Sequence, residues 1–165
     1  MIDKAHLQQL ARYNRWQNEN LYGAAESLSD EERKRERGAF FGSIHGTFNH
    51  LVWADRQWFA RFTGGPRSSI GIKESVGLYP DWDELKRERI KLDRTIADWA
   101  DALDPSWLEG ELRYFSGSVQ RELSLPKQLV VTHFFNHQTH HRGQIHCMLT
   151  QAGAKPGVTD LVFMP

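Results

Sequence analysis

The sequence predicts an all-α protein, a four-helix bundle with a long crossover connection and a short β-hairpin before the last helix. Three observations carry this. Four long stretches repeat their apolar side chains at about 100° per residue, the angular step of an α-helix. Gly, Pro, Ser and Asp mark the breaks between them. Only between Trp107 and Leu125 does the pattern become strand-like, around a Gly-containing turn. At 165 residues, the chain is long enough for one domain, spanning residues 1–165, to bury a core.

The first helix is expected from Asp3 to Leu28. Leu7, Leu10, Ala11, Leu21, Tyr22 and Ala25 share a face, and Asn14 and Asn18 interrupt it. Buried amides need partners, so these two either tie helices together or approach a polar site. The basic run at Arg33, Lys34, Arg35 and Arg37 is mixed with glutamates and reads as a solvated inter-helix segment. A second long helix begins near Ser43 and ends at Gly64-Gly65-Pro66. Asp55 falls inside its apolar stripe, where a carboxylate is costly unless paired. Trp53 points away from that stripe, which suggests a helix covered on two sides, the second by another subunit.

Residues 64–78 are rich in glycine and serine and long for a loop, so they form an ordered crossover or a lid. Asp81 caps the next helix, whose face is Leu85, Arg89, Leu92, Ile96, Trp99 and Leu103 and which Asp104-Pro105 closes. The hairpin pairs residues 111–115 with 119–123 across Ser116-Gly117-Ser118. The last helix starts near Pro126 and stops at Gly153. The apolar end of the chain is expected to pack back on the body.

Twenty-one basic and twenty-one acidic residues give a formal charge of zero. That disfavours a nucleic-acid or membrane partner, since proteins that track phosphates are usually clearly basic. The single cysteine, Cys147, excludes an intramolecular disulfide and cysteine-based zinc sites. Without an apolar leader or a run of 18 apolar residues, a cytoplasmic setting is expected.

Five of the eight histidines lie between His133 and His146. On the last helix Val130, Phe134, His137, His141, Ile145, Met148 and Ala152 fall on one face, so His137 and His141 take positions where a bundle normally places leucines. Four residues apart, their rings stack one turn from each other. His133 and His141 stand about 12 Å apart along the axis and cannot share one ion. Two adjacent core imidazoles need either two sets of partners or one metal. A third ligand must come from His6, His45, His50 or a carboxylate. The periodicity favours His50, beside the small Thr47 and Ala54, and places His6 in the frayed N-terminus. Three imidazoles plus water make an open site of the catalytic kind. The donors suit a divalent ion, zinc or nickel first, then iron, cobalt or manganese. Asp55 and Arg142 are candidates for supporting the ligands or for ion pairs, and Gly143 for a close helix approach.

Three segments together resemble the DinB-like family of four-helix-bundle metalloproteins. They are Tyr13-Asn14-Arg15-Trp16-Gln17-Asn18, Phe48-Asn49-His50-Leu51-Val52-Trp53-Ala54-Asp55-Arg56-Gln57-Trp58 and Asn136-His137-Gln138-Thr139-His140-His141-Arg142-Gly143-Gln144. The resemblance implies a bundle with a long crossover, a divalent metal on His50, His137 and His141, and a homodimer. Family members of known activity are similar to metal-dependent thiol S-transferases and maleylpyruvate isomerases that use low-molecular-weight thiols.

Two functions compete. In the first, an enzyme of the thiol S-transferase type, the metal presents a thiol or water to a small electrophile. No protein nucleophile is evident: Cys147 faces away from the histidine pair and reads as a packing residue. Gln138 stands where a His-Glu-x-x-His peptidase needs its glutamate, and the core glutamates of di-iron proteins are missing. In the second, a non-catalytic stress-response protein, the metal is structural. Catalytic residues are not identified by the sequence.

Overall fold

The computed structural model describes residues 2–165. Among them are five α-helices and one antiparallel hairpin: α1 (Lys4–Glu26), α2 (Asp30–Lys34), α3 (Ile44–Thr63), α4 (Trp82–Ala102), β1 (Glu111–Ser116), β2 (Arg121–Pro126) and α5 (Lys127–Gln151). The four long helices form the bundle, with α1 and α3 each packed against both α4 and α5. Capping residues set the boundaries. Asp3, Ser43 and Asp81 each accept the backbone N–H three residues on, at 2.8, 3.0 and 2.8 Å. Each such cap is typically worth about 1 kcal/mol. Gly64 takes the left-handed conformation (φ 71°) that ends α3.

Side-chain pairs give the helix directions. Phe48 meets Trp82, Asp55 meets Arg89 and Phe62 meets Trp99, so α3 and α4 run parallel. Gln8 meets Asp101 and Asn18 meets Asp93, so α1 opposes α4; Trp58 meets His133 while His50 meets His141, so α5 opposes α3. Two parallel neighbours cannot be joined by a short turn. Residues 64–81 therefore travel the length of α3, and Gln57, Trp53, His50 and Asn49 meet Ser68, Ile70, Ser75 and Tyr79 in turn. This is the long crossover. It also covers Trp53, whose Nε1–H donates to the Ile70 carbonyl at 3.1 Å. The second covered face of α3 is thus occupied by this chain's own crossover, where the sequence suggested another subunit.

The core is strongly aromatic at one end, where Phe62, Trp99, Trp107 and Phe134 pack edge to face or stacked. At mid-height it is ionic. Arg89 Nη1 donates to Asp55 Oδ2 at 2.6 Å, and Nη2 lies 2.8 Å from Asp93 Oδ1. Asn14 and Asn18 donate to Asp93, each at 2.9 Å, and Arg142 donates to Asn14 Oδ1. The asparagines therefore tie α1 to α4 and α5. Two carboxylates and two guanidiniums balance the network, and all four side chains are buried. Burial pushes Asp55 upward while Arg89 pulls it back, and burial lowers Arg142 to about 10.

Several expectations are corrected. Residues 30–34 form the helix α2, and Arg33 is buried, donating to the Ala25 and Leu28 carbonyls at the end of α1. It caps α1, so the segment is not simply solvated. The second strand starts at Arg121, two residues later than the pattern suggests, because the turn takes residues 117–120. The tail lies along α1, where Tyr13 and Gln17 donate to the Thr159 and Val158 carbonyls, but Val162 (84%) and Phe163 (66%) face solvent. A β-carbon on Gly143 would meet nothing within 4 Å, so no helix approaches closely there. Cys147 is exposed, hence not a packing residue. No helix among the described residues is long and apolar enough to cross a membrane.

Candidate metal centre

His50 projects from the middle of α3, and His137 and His141 from the middle of the opposing α5. The antiparallel pairing brings both turns to the same height. Ring centroids stand 5.5 Å (His50 to His137), 4.9 Å (His50 to His141) and 4.5 Å (His137 to His141) apart. One ring nitrogen from each residue lies within 4.8 Å of the others. The Nε2 atoms of His137 and His141 are 3.2 Å apart. Two nitrogens at ~2.0–2.1 Å on a tetrahedral ion stand ~3.3 Å apart, so this pair is already at ligand spacing.

The hydrogen bonds around the rings point their lone pairs inward. Ser75 Oγ donates to the Ile72 carbonyl at 2.6 Å, which leaves it to accept from His50 Nδ1–H at 3.1 Å. The Gln144 amide oxygen accepts from His141 Nδ1–H at 2.7 Å. In both rings the proton is thereby held on Nδ1 and Nε2 is free to ligate. His137 Nδ1 is buried without a partner. Phe41 stacks on His50 with 3.6 Å between centroids, fixing the ring plane and excluding water from that side.

Burial and the neighbouring imidazoles hold His50 and His137 at about 3, far below the ordinary histidine value, and burial likewise lowers His141. All three are neutral at pH 7 and offer lone pairs rather than positive charge. Three converging neutral imidazoles, two with fixed tautomers, fit a divalent cation.

The centre opens on a cavity of about 1300 Å³ between α3, the crossover, the hairpin and α5, lined by His50 and His137 together with Trp53, Trp58 and Tyr114. The remaining histidines do not join this cluster of converging nitrogens. His45 is buried but bonds the Tyr79 carbonyl through Nε2 at 2.8 Å, and His6 is exposed at the start of α1. His133 stacks edge-on against Trp58, and His140 packs edge-on against the His141 ring at 4.9 Å between centroids, with its Nε2 3.3 Å from the Gln144 amide nitrogen. Asp55 and Arg142 bond within the ionic network and support none of the three rings.

The sequence reading missed Ser75, Gln144 and Phe41. Gln144 was findable, since it stands three residues from His141 on the same helix. Ser75 was not, because its position depends on the path of the crossover. Gln138 and Arg142 were also absent from the predicted core face, although both are buried. The helix packs against two neighbours, so its covered arc is wider than one stripe and the triad sits on its cavity-facing edge.

The model described as DinB family matches residues 1–165. The protein DinB of Bacillus subtilis is 27% identical, over 92% of this chain and 88% of its own length. The crystal structure of a DinB-like protein from Bacillus cereus is similar with a TM-score of 0.64 and 19% identity, covering 87% of this chain and 91% of the other. The chain belongs to the DinB family.

Proposed function

From this family membership and the convergence of the three imidazoles, we propose that His50, His137 and His141 hold a divalent metal, zinc or nickel first, and that the site catalyses addition of a small thiol to an electrophile. The observation that carries the reading is the position of the triad: its ligating nitrogens lie within 4.8 Å of each other, and two of its rings, His50 and His137, line a cavity of about 1300 Å³. A structural ion is normally enclosed by four protein ligands, whereas three ligands beside an open space leave a coordination position for a reactant.

When bound, the metal supplies Lewis acidity that favours the deprotonated form of a thiol or water. The chain's own contribution is positional. Ser75 and Gln144 hold protons on Nδ1 of His50 and His141, so the ligating nitrogens stay unprotonated. Phe41 closes one side, and Trp53, Trp58 and Tyr114 supply apolar walls that orient a carbon skeleton and reduce competition from water. Cys147 is exposed outside the cavity and takes no part.

The test is the visible spectrum of the cobalt-loaded protein titrated with glutathione, bacillithiol and mycothiol. A thiol entering the coordination sphere brings a sulfur-to-cobalt charge-transfer band that saturates. An unchanged spectrum with every small thiol sinks the transferase reading in favour of a non-catalytic stress-response protein whose ion ties α3 to α5.

A further inference from the structure

The cavity carries a charge that the chain as a whole does not. The protein is formally neutral, yet the cavity is lined by Arg61, Arg67 and Lys73 against the single carboxylate Glu74. Arg61 is held in place without an anion. Its guanidinium carbon lies 4.4 Å from the ring centre of Trp58 and 4.8 Å from that of Tyr114, packed on the corner that the two edge-to-face rings make where α3 meets the hairpin. Its Nε is buried with no acceptor. No carboxylate among the described residues forms an ion pair with Arg61 or Arg67, whereas Arg33, Arg35, Arg37, Arg56 and Arg89 all have acidic partners. Arg67 sits close enough to repel Arg61. Two guanidiniums thus share one cavity without a counter-ion, one of them packed against two aromatic rings and with a buried donor unspent. Such an arrangement favours a planar anion, which accepts from guanidinium edges.

We propose that the Arg61–Arg67 end of the cavity binds the carboxylate of a reactant with an apolar or aromatic body, which Trp58 and Tyr114 position toward the histidine centre. The proposal rests on reading the cavity as the reactant pocket, and it names the class of electrophile: an anionic one, with its charge at the end away from the reacting carbon. Arg61 and Arg67 are binding residues, and no bond is made or broken at them.

The experiment is calorimetric titration of the full chain, metal-free and zinc-loaded, with 2-naphthoate and with its neutral counterpart 2-naphthamide. Naphthoate is expected to bind at least about tenfold more tightly, in both forms of the protein, as a charge-assisted bond to a guanidinium requires. Arg61→Gln and Arg67→Gln are expected each to erase most of that preference. Arg67 is exposed and its replacement leaves packing intact, while circular dichroism checks that Arg61→Gln is folded. Equal affinity for the two probes, no detectable naphthoate binding, or a preference that survives in both variants overturns the proposal. So does naphthoate binding that needs zinc, because the carboxylate would then be a metal ligand. A protein that prefers naphthoate but takes up no zinc would refute the metal reading and leave the anion site standing.

Discussion

Replacing Arg89 by methionine tests the ionic network that ties α3, which carries His50, to α4. The guanidinium lies between Asp55 of α3 and Asp93 of α4, at 2.6 and 2.8 Å, and its side chain is 3% exposed. Methionine fills comparable volume but leaves two buried carboxylates, with only Arg142 as a further buried cation in the network. Breaking a buried pair by removing one partner costs about 3–5 kcal/mol, out of a total stability of about 5–15 kcal/mol for a domain. With a urea dependence of about 2 kcal/mol per molar, the unfolding midpoint should fall by roughly 2 M. The loss should also depend on pH. Burial already pushes Asp55 upward, and without Arg89 only the weaker hydrogen bond from Gln138 is left beside it to pull it down. A carboxyl with a raised folded value is stabilising when protonated, so the deficit should be large at pH 7 and shrink toward pH 4–5. Adding Asp55→Asn and Asp93→Asn to Arg89→Met should restore most of the midpoint. A midpoint within 0.5 M of wild type by this estimate, or a deficit equal at both pH values, would refute the reasoning.

Three other outcomes follow from the same geometry. Ser75→Ala removes the acceptor on His50 Nδ1 and should weaken zinc affinity by about 10–100-fold in competition with a chelating dye, with the fold unchanged. In the metal-free protein the unfolded chain protonates its histidines below about pH 6.5, whereas folded His50 and His137 resist to about 3. Stability should therefore be full above pH 6.5 and decline as pH falls, by up to about 1.4 kcal/mol per pH unit for each histidine. Urea midpoints at pH 7.5 and 5 measure this, and a His50→Leu/His137→Leu variant should show a shallower decline. Asp81→Ala deletes the cap of α4 and should cost about 1 kcal/mol, a thermal midpoint shift of roughly 2–4 °C.

The elements that the sequence revealed best were those with local causes. Ser43, Gly64 and Asp81 bound helices by chemistry confined to one turn, and their positions agree with the structure to within a residue or two. The pairing of His137 with His141 was legible for the same reason, since a helix fixes what stands four residues apart. His50 was narrowed by periodicity but singled out only by resemblance, because the meeting of α3 and α5 depends on helix directions that no local pattern encodes. The roles of Trp53 and Ser75 were hidden behind the path of residues 64–81. Arg33 looked solvated because its acceptors are backbone carbonyls at the end of α1, and carbonyls leave no trace in a residue pattern. The apolar tail failed differently: Val162 and Phe163 are hydrophobic, yet the hold on that segment comes from polar contacts with Tyr13 and Gln17.

The central claim is that three imidazoles share one ion. Zinc bound per chain, measured by mass spectrometry after equilibrium dialysis, tests it most directly when wild type is compared with His50→Ala, His137→Ala and His141→Ala. The account predicts about one zinc for the wild type and a large loss in each variant, His50→Ala included although it lies on a different helix. Full zinc content in His50→Ala, or none in the wild type, would contradict it.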